Sequence, residues 1–173
     1  MFSNPDQNIA EFGIGEGMKV ADLGAGAGFY SIAAARKVGN SGFVYAVEVQ
    51  KTLVDKIKSN AIAEGIHNIE AIWGNIEKIG GTKLREAMAD RVIVSNVLFQ
   101  IEQKDRDNFC LEAKRITKPG GKILIIDWNA VTPLGPKEFI TKAAAQSLFE
   151  KAGFKYEREF DAGDHHYGLV MTR

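Results

Sequence analysis

The segment of residues 20–31, VADLGAGAGFYS, constrains the fold of this chain more than any other stretch. It joins a short apolar run to a turn with three glycines and then to a helical pattern. Glycine lets the backbone turn and approach a ligand where a side chain would block it. The strand, the turn and the helix N-terminus present backbone N–H groups to a negatively charged or oxygen-rich ligand. The segment therefore predicts a nucleotide-type site, with no room for a branched side chain at Gly26.

The spacing of the glycines separates the known kinds of nucleotide-binding turn. A dinucleotide fingerprint, G-x-G-x-x-G, would need a glycine where this chain has Phe29, and no G-K-[ST] follows to make a phosphate loop. About twenty residues beyond Gly28, Glu48 ends a second apolar run, and an acid there can accept both hydroxyls of a ribose. We therefore predict a nucleoside site, against the alternative of a plain tight turn followed by a solvated acid.

Strand and helix patterns alternate along the rest of the chain. Such alternation predicts an α/β fold with a Rossmann-like, doubly wound sheet and helices on both faces. The last two strands are separated by a short turn, so they must pair antiparallel as a hairpin. The predicted strands cover 20–23, 43–47, 69–73, 91–94, 122–128, 154–160 and 167–172, and the predicted helices cover 6–11, 29–38, 51–64, 83–88, 105–116 and 141–151.

Motifs in the same order resemble those of the class I S-adenosylmethionine (SAM)-dependent methyltransferases. The first motif of that family is similar to 22–28, its ribose acid to Glu48, its adenine-flanking segment to 74–76, its fourth strand to 90–98 and its K-P-G-G turn to 118–121. The resemblance covers nearly the whole chain. It implies seven strands in the order 3-2-1-4-5-7-6, with strand 7 antiparallel, and SAM as the cofactor.

Ligands of open parallel sheets lie outside the carboxyl ends of the strands, where the strand order reverses. Asn75 departs from the family, which often carries an acid there, so a contact to the adenine amino group would use a neutral amide oxygen. No metal site is expected. The cofactor-binding residues implied by the resemblance are Asp22, Gly24, Ala25, Gly26, Gly28, Phe29, Tyr30, Glu48, Val49, Gly74, Asn75, Ile76, Asn96, Val97 and Leu98.

The methyl acceptor is expected where strands 5 and 7 meet. The resemblance places strand 7 beside strand 5, which would put His165 and His166 next to Trp128. Trp128 could form a platform for a cationic or aromatic acceptor, and one histidine could act as a base. The alternatives are a half-buried tryptophan that only packs and a histidine that only hydrogen-bonds the backbone.

Chain length and charge limit the possible domain organisation and the possible binding partners of this protein. The 173 residues predict one domain, with 18–173 as the cofactor-binding domain and 1–17 as an N-terminal arm. The arm carries Phe2 and Pro5 and is expected to close over the cofactor as a lid. The 22 basic and 22 acidic residues leave no footprint for a nucleic acid. No apolar run approaches the ~20 residues of a membrane span, so we expect a cytoplasmic protein, and a homodimer is compatible with this interpretation.

Cys110 is the only cysteine of the chain. It excludes an internal disulfide, a cysteine metal cluster and the multi-cysteine chemistry needed for soft ions such as arsenic. We expect Cys110 to be a buried, small apolar residue.

The leading functional hypothesis is methyl transfer to a small-molecule acceptor. An O, N, S or C atom of the acceptor would attack the sulfonium methyl in line, so the protein mainly holds two reactants and excludes water. A base is needed only if the acceptor must lose a proton. Two alternatives stay open: a SAM-binding module without catalysis, and a nicotinamide-dependent dehydrogenase, which the missing third glycine and the closing hairpin disfavour.

The acceptor is not identified by the sequence. Neither N-P-P-Y nor D-P-P-Y follows strand 4, where residues 95–98 read SNVL, so support for amino methylation of adenine or glutamine is lost. No acidic constellation resembles the metal-dependent catechol enzymes. A quinone-ring carbon or a similar hydrophobic acceptor, as in the ubiquinone and menaquinone biosynthesis methyltransferases, rests on the family resemblance alone.

Overall fold

The computed structural model describes residues 3–133 and 135–173, so Phe2 of the predicted lid lies outside the described residues. Strands and helices alternate through the described chain. The strands are β1 Lys19–Leu23, β2 Phe43–Glu48, β3 Ile69–Trp73, β4 Ala89–Ser95, β5 Thr117–Trp128, β6 Lys155–Asp161 and β7 His166–Thr172. The α-helices are α1 Pro5–Phe12, α2 Phe29–Val38, α3 Lys51–Ala63, α4 Arg106–Ile116 and α5 Lys142–Ala152.

The strands form one sheet in the order β3-β2-β1-β4-β5-β7-β6. The pairs among β1 to β5 are parallel, whereas β7 runs antiparallel to both β5 and β6. The predicted doubly wound α/β fold, its strand order and its closing hairpin are therefore confirmed. The strand order reverses between β1 and β4, so the carboxyl ends of these two strands border the crevice where a ligand is expected.

Two apolar clusters cover the two faces of the sheet. Successive side chains of a strand point to opposite faces, so Ile93 belongs to one cluster and Val94 to the other. Buried residues of α1 and α2 join Ile93, and those of α4 and α5 join Val94. Cys110 is fully buried in the α4 side of the core, as expected. Each fully buried side chain of leucine size contributes roughly 1.5–3 kcal/mol, and these clusters fix the strand ends that build the site.

Helix α1 brings the N-terminal arm onto the body of the domain. The Asn4 side chain caps it by accepting the N–H groups of Asp6 and Gln7 at 3.1 and 3.3 Å. Ile9 and Phe12 are buried in the cluster that α1 shares with α2. The predicted short helix in the arm is confirmed, and its apolar face is part of the core.

The predicted helix over 83–88 is wrong. This segment forms turns, and Lys83 and Ala87 have positive φ values of 62° and 49°, which no α-helix contains. Tertiary contacts decide the conformation, since the Ala87 N–H donates to the Arg115 carbonyl at 2.9 Å and the next N–H donates to the Ile116 carbonyl at 2.9 Å. The connection between β3 and β4 therefore crosses the sheet as a loop.

No helix among the described residues is long and apolar enough to cross a membrane.

Candidate functional site

The glycine turn lies between the end of β1 and the start of α2. Gly24 has a φ of 75°, and a Cβ there would stand 2.6 Å from Cγ2 of Val97, in the loop that follows β4. Any side chain would therefore collide with that loop. Glycine is required at position 24 both for its conformation and for the close approach of the two loops.

Gly26, the middle glycine of the turn, faces open space. Its φ is 56°, and no protein atom lies within 4 Å of the point where a Cβ would stand. The expected lack of room for a branched side chain at Gly26 is therefore not seen for a Cβ atom in the protein alone, and the crowded position is Gly24. Gly26 also lines a cavity, so a side chain there would project into that cavity.

Glu48 braces this turn from the end of β2. Its side chain is buried, with one carboxylate oxygen accepting the Gly26 N–H at 3.0 Å and the other accepting the Gln50 N–H at 2.9 Å. Each oxygen has two lone pairs, so each can accept a further hydrogen bond from a hydroxyl group. The geometry suits the predicted ribose contact.

The carboxyl ends of β1, β2, β3 and β4 enclose a cavity of about 240 Å³. It brings together seven of the predicted cofactor residues, which come from all four strand ends. The cavity is lined by Gly24, Gly26, Glu48, Val49, Gln50, Leu53, Asn75, Ile76, Glu77, Val97, Gln100 and Ile101. We call 74–82, which contains Asn75, Ile76 and Glu77, the β3 wall, and we call 96–101 the β4 wall.

Five lining residues were missed by the sequence reasoning: Gln50, Leu53, Glu77, Gln100 and Ile101. Each follows an observed strand end by two to six residues, so a site prediction that continued six residues beyond every strand end would have included them. The other predicted cofactor residues belong to the same strand ends, turn and helix start without lining the cavity, and their contact with a cofactor stays a prediction. They are Asp22, Ala25, Gly28, Phe29, Tyr30, Gly74, Asn96 and Leu98.

Asp22 is a buried carboxyl group below the glycine turn. It accepts a hydrogen bond from the Ser31 hydroxyl at 2.6 Å, which ties β1 to the first turn of α2. Burial raises the pKa of Asp22 to about 6, with the nearby Glu48 carboxylate adding to the rise and the Ser31 bond opposing it. Asp22 therefore stabilises the strand-to-helix turn from beneath.

The amide oxygen of Asn75 already has a partner. It accepts the N–H of Glu77 at 2.9 Å and closes a tight turn at the end of β3. An adenine amino group that donates a hydrogen bond to this oxygen would have to use the second lone pair of the oxygen. The departure from the family at this position thus serves the local turn of the β3 wall.

Glu112 of α4 holds the β3 wall from outside the cavity. Its buried carboxylate accepts the N–H groups of Gly80 and Thr82 at 2.8 and 3.3 Å. Arg115 donates to both oxygens of the same carboxylate at 2.7 Å. The wall that carries Asn75 is therefore fixed to the core by a bidentate ion pair and backbone hydrogen bonds.

A polar network joins the arm to the helix behind the glycine turn. The Asn8 amide donates to the hydroxyls of Ser3 and Tyr30, each at 2.8 Å, and to the Ala162 carbonyl at 3.1 Å. The two hydroxyls lie 2.6 Å apart. The N-terminal arm, α2 and the β6–β7 turn thus meet at one buried amide.

Trp128 and His166 stand together at the ends of β5 and β7, as predicted. They are paired across the two strands, and their ring centroids lie 4.3 Å apart. Both are buried, with 8% and 2% of their surface exposed. The His166 ring contacts the Asp164 carbonyl through Nδ1 at 2.8 Å and the Asn96 amide through Nε2 at 3.0 Å. Burial lowers the pKa of His166, and the neighbouring His165 lowers it further, so the ring is neutral at pH 7.

His165 lies in the turn before β7, with a φ of 62° and an exposed side chain. It lines an open cavity of about 660 Å³ at the end of the hairpin, together with Asn129 and Lys142. The two histidines therefore differ: His166 is packed with both ring nitrogens engaged, whereas the His165 ring is accessible. Among the described residues, no group of three or more His, Cys, Asp or Glu side chains is placed to hold a metal ion.

Residues 14–166 match a protein family described as a methyltransferase domain. An arsenite methyltransferase of Halobacterium salinarum is 30% identical over 117 residues, which cover 68% of this chain and 29% of that protein. The ubiquinone/menaquinone biosynthesis C-methyltransferase of Bordetella avium is 29% identical over 129 residues, 74% of this chain and 48% of that protein. The chain thus spans about half or less of the length of these curated relatives.

Solved structures show the same architecture. A SAM-dependent methyltransferase from Aquifex aeolicus superposes with a TM-score of 0.87 at 29% identity, covering 98% of this chain and 89% of its own. A [4+2]-cyclase superposes with a TM-score of 0.81 at 14% identity, covering 97% and 79%. The second likeness concerns the fold alone.

Proposed function

Because the chain belongs to the methyltransferase domain family, we propose that it binds SAM in the cavity between the β3 and β4 walls and transfers the methyl group to a small-molecule acceptor. The observation that carries the proposal is the open space at Gly26 beside the Glu48 carboxylate. A Cβ at Gly26 would enter this open space, and the carboxylate beside it has free lone pairs. Such a site fits a nucleoside whose ribose hydroxyls donate hydrogen bonds.

The residues of the chain bind and orient rather than react. SAM, when bound, supplies a methyl group on a positively charged sulfur, which makes that methyl electrophilic. Glu48 would hold the ribose, and Ile76 and Val97 would enclose the base between the two walls. Holding two reactants in line and keeping water out supplies most of the rate enhancement for such a transfer, so no protein nucleophile is required.

We place the acceptor at the ends of β5 and β7, near Trp128, His165 and His166. Trp128 and His166 form a packed aromatic pair that would shape the pocket. Both nitrogens of His166 are engaged, so His165, with its accessible ring, is the candidate base for an acceptor that must lose a proton.

The relatives suggest two chemically different acceptors, arsenite and a quinone ring. Arsenic(III) is a soft ion that binds thiolates. Cys110, the only cysteine of this chain, is fully buried, and burial raises the pKa of its thiol far above the usual range. A hydrophobic ring acceptor is therefore the better supported of the two.

We also propose that the 1–17 arm acts as a lid, which is supported by the Asn8 contacts to Tyr30 and to the Ala162 carbonyl beside the hairpin. The proposal also includes 18–173 as the cofactor-binding domain, a cytoplasmic location and a homodimer. It includes no nucleic-acid partner. The balance of 22 basic and 22 acidic residues supports the absence of a nucleic-acid partner.

A thermal-shift titration tests the cofactor assignment. S-adenosylhomocysteine at a hundredfold excess over its Kd should stabilise the fold by about 2.7 kcal/mol. At roughly 2–4 °C per kcal/mol for a chain of this size, the midpoint should rise by roughly 5 to 10 °C. NAD and NADP should leave it unmoved, and a clear shift with NAD alone would overturn the assignment in favour of a dehydrogenase.

Gly26→Val should abolish the shift, with Gly65→Val as a matched control. Gly65 has the same left-handed conformation, φ 67°, and the same open surroundings, but it follows the end of α3 and does not line the cavity. The backbone strain of the two variants is therefore comparable. Formation of S-adenosylhomocysteine from SAM with quinols, phenols, amines or thiols, above the Gly26→Val background, separates an enzyme from a binding module without catalysis.

A further inference from the structure

The β4 wall is held in an unusual backbone conformation. Asn96, its first residue, has a φ of 57°, and its N–H donates to the Ile126 carbonyl at 2.8 Å. The left-handed region is uncommon for non-glycine residues, and asparagine is one of the few that adopt it readily. Val97 follows and stands against Gly24, close enough to forbid any side chain there. This left-handed residue is thus located where the β4 wall meets the glycine turn.

Asp127, the next-to-last residue of β5, lies behind this wall. It is fully buried, and one carboxylate oxygen accepts the Leu98 N–H at 2.9 Å while the other accepts the Trp128 N–H at 2.8 Å. The N–H groups of Val97 and Phe99 also lower the pKa of this carboxyl group, so its charge faces three successive amides of the wall. Asp127 and Trp128 point to opposite faces of the sheet, so β5 supports the wall from one face and the acceptor region from the other.

No salt bridge joins Asp127 to a cation anywhere in 3–133 or 135–173. Tyr167, its neighbour on β7, is the titratable group that faces it. Burial raises the pKa of Asp127 to about 6, against the lowering effect of the backbone N–H groups. At pH 7 the fold therefore keeps a buried carboxylate ionised without a cationic partner, which costs stability. Residues that break a stability rule in this way are expected at functional positions.

We propose that Asp127 is a positioning residue of the cofactor site, whose carboxylate fixes the Leu98 amide and so holds the β4 wall against the glycine turn. The inference rests on the proposed function, because the position of the wall affects binding only if the cavity takes the cofactor. An amide at 127 would not replace the carboxylate, since one of its two ends is an NH2 group that would face a backbone N–H.

Asp127→Asn tests the proposal by calorimetric titration with S-adenosylhomocysteine. The Kd should rise by about tenfold, the loss expected from one hydrogen bond to a charged group. Asp90→Asn is the matched control, because the Asp90 carboxylate also accepts a backbone N–H, from Lys19 at 2.8 Å, but at the opposite end of the sheet. The control should bind as the wild type does. Equal affinities for Asp127→Asn and the wild type would overturn the inference, whereas a wild type without affinity would overturn the proposed function instead.

Hydrogen exchange of the wild type without ligand gives a second measurement that needs no variant. The Leu98 amide should be protected at least as well as an amide inside a strand, because its acceptor is a buried charge. Exchange of Leu98 as fast as that of an exposed amide would overturn the proposal. In Asp127→Asn, the protection of Leu98 should fall while that of the β4 interior is kept, and loss of protection throughout β4 would show a purely structural role.

Discussion

The two walls of the cavity are both held by a buried carboxylate, but the two carboxylates are paired differently. Glu112 fixes the β3 wall by accepting backbone N–H groups while Arg115 binds both of its oxygens. Asp127 fixes the β4 wall by accepting the Leu98 N–H, with no cation beside it in the described chain. One wall is therefore braced by a complete ion pair, and the other is held by a carboxylate that only backbone amides compensate.

The different partners of Glu112 and Asp127 shift the pKa values of the two carboxyl groups in opposite directions. Burial raises the pKa of Glu112, but hydrogen bonds from Arg115, Thr82 and Gly80 outweigh it and hold the pKa below its usual range. Burial raises the pKa of Asp127 to about 6 because its backbone donors do not outweigh it. The β3 wall is thus part of the stabilising framework, whereas the β4 wall is positioned at the expense of stability. Sites that tune ligand binding commonly show the second pattern.

Glu112→Leu should release the β3 wall from α4, and it should lower the stability of the fold more than any other single substitution proposed here. It leaves the Arg115 guanidinium and the Gly80 and Thr82 amides without their acceptor, and breaking a buried pair in this way costs about 3–5 kcal/mol. At roughly 2–4 °C per kcal/mol, the thermal midpoint should fall by about 10 °C. Asp127→Asn should lower it much less.

A double variant, Glu112→Leu with Arg115→Leu, serves as the control for this prediction. Replacing both members of a buried pair by apolar residues is often nearly neutral, so the double variant should recover part of the lost stability. If Glu112→Leu melts within about 2 °C of the wild type, the ion pair does not brace the wall.

The pH dependence of stability should also distinguish the two walls, by a smaller change in the free energy of unfolding. The pKa of Asp127 is raised from 3.8 to about 6 in the fold, so its contribution to stability is complete below about pH 4 and is lost as the pH rises through 6. The difference in unfolding free energy between wild type and Asp127→Asn should therefore shift against the wild type by up to about 3 kcal/mol from pH 4 to pH 7.5. Asp22 also titrates near pH 6 but is present in both proteins, so it cancels.

The contribution of Glu112 to the free energy of unfolding should depend on pH in the opposite direction. Its pKa is lowered, so its contribution is present above its ordinary pKa of 4.5 and is lost as the pH falls through the folded value. Denaturant unfolding at each pH measures both slopes. Parallel pH dependences for the two carboxylates would contradict the distinction between the walls.

The sequence predicted the parts of the site that local pattern encodes. The glycine turn and Glu48 follow directly on apolar runs, so their spacing alone places them at strand ends. The strand order and the position of His166 beside Trp128, which the family resemblance implied, were also right. Asp127 and Glu112 left no such signal, because each acts on backbone amides about 30 positions away in sequence. The helix predicted over 83–88 failed for the same reason, since contacts with the end of α4 override a helical composition.

The central claim, that Glu48 and the glycine turn bind the nucleoside part of SAM, is tested most directly by titrating S-adenosylhomocysteine into Glu48→Ala. Glu70→Ala, which removes an exposed acid from the neighbouring strand β3, is the matched control, and thermal melting shows that both variants fold. Loss of hydrogen bonds to a charged group, worth about 1.5–3 kcal/mol, predicts a Kd at least about tenfold higher for Glu48→Ala. An affinity equal to that of the wild type and of Glu70→Ala would contradict the account.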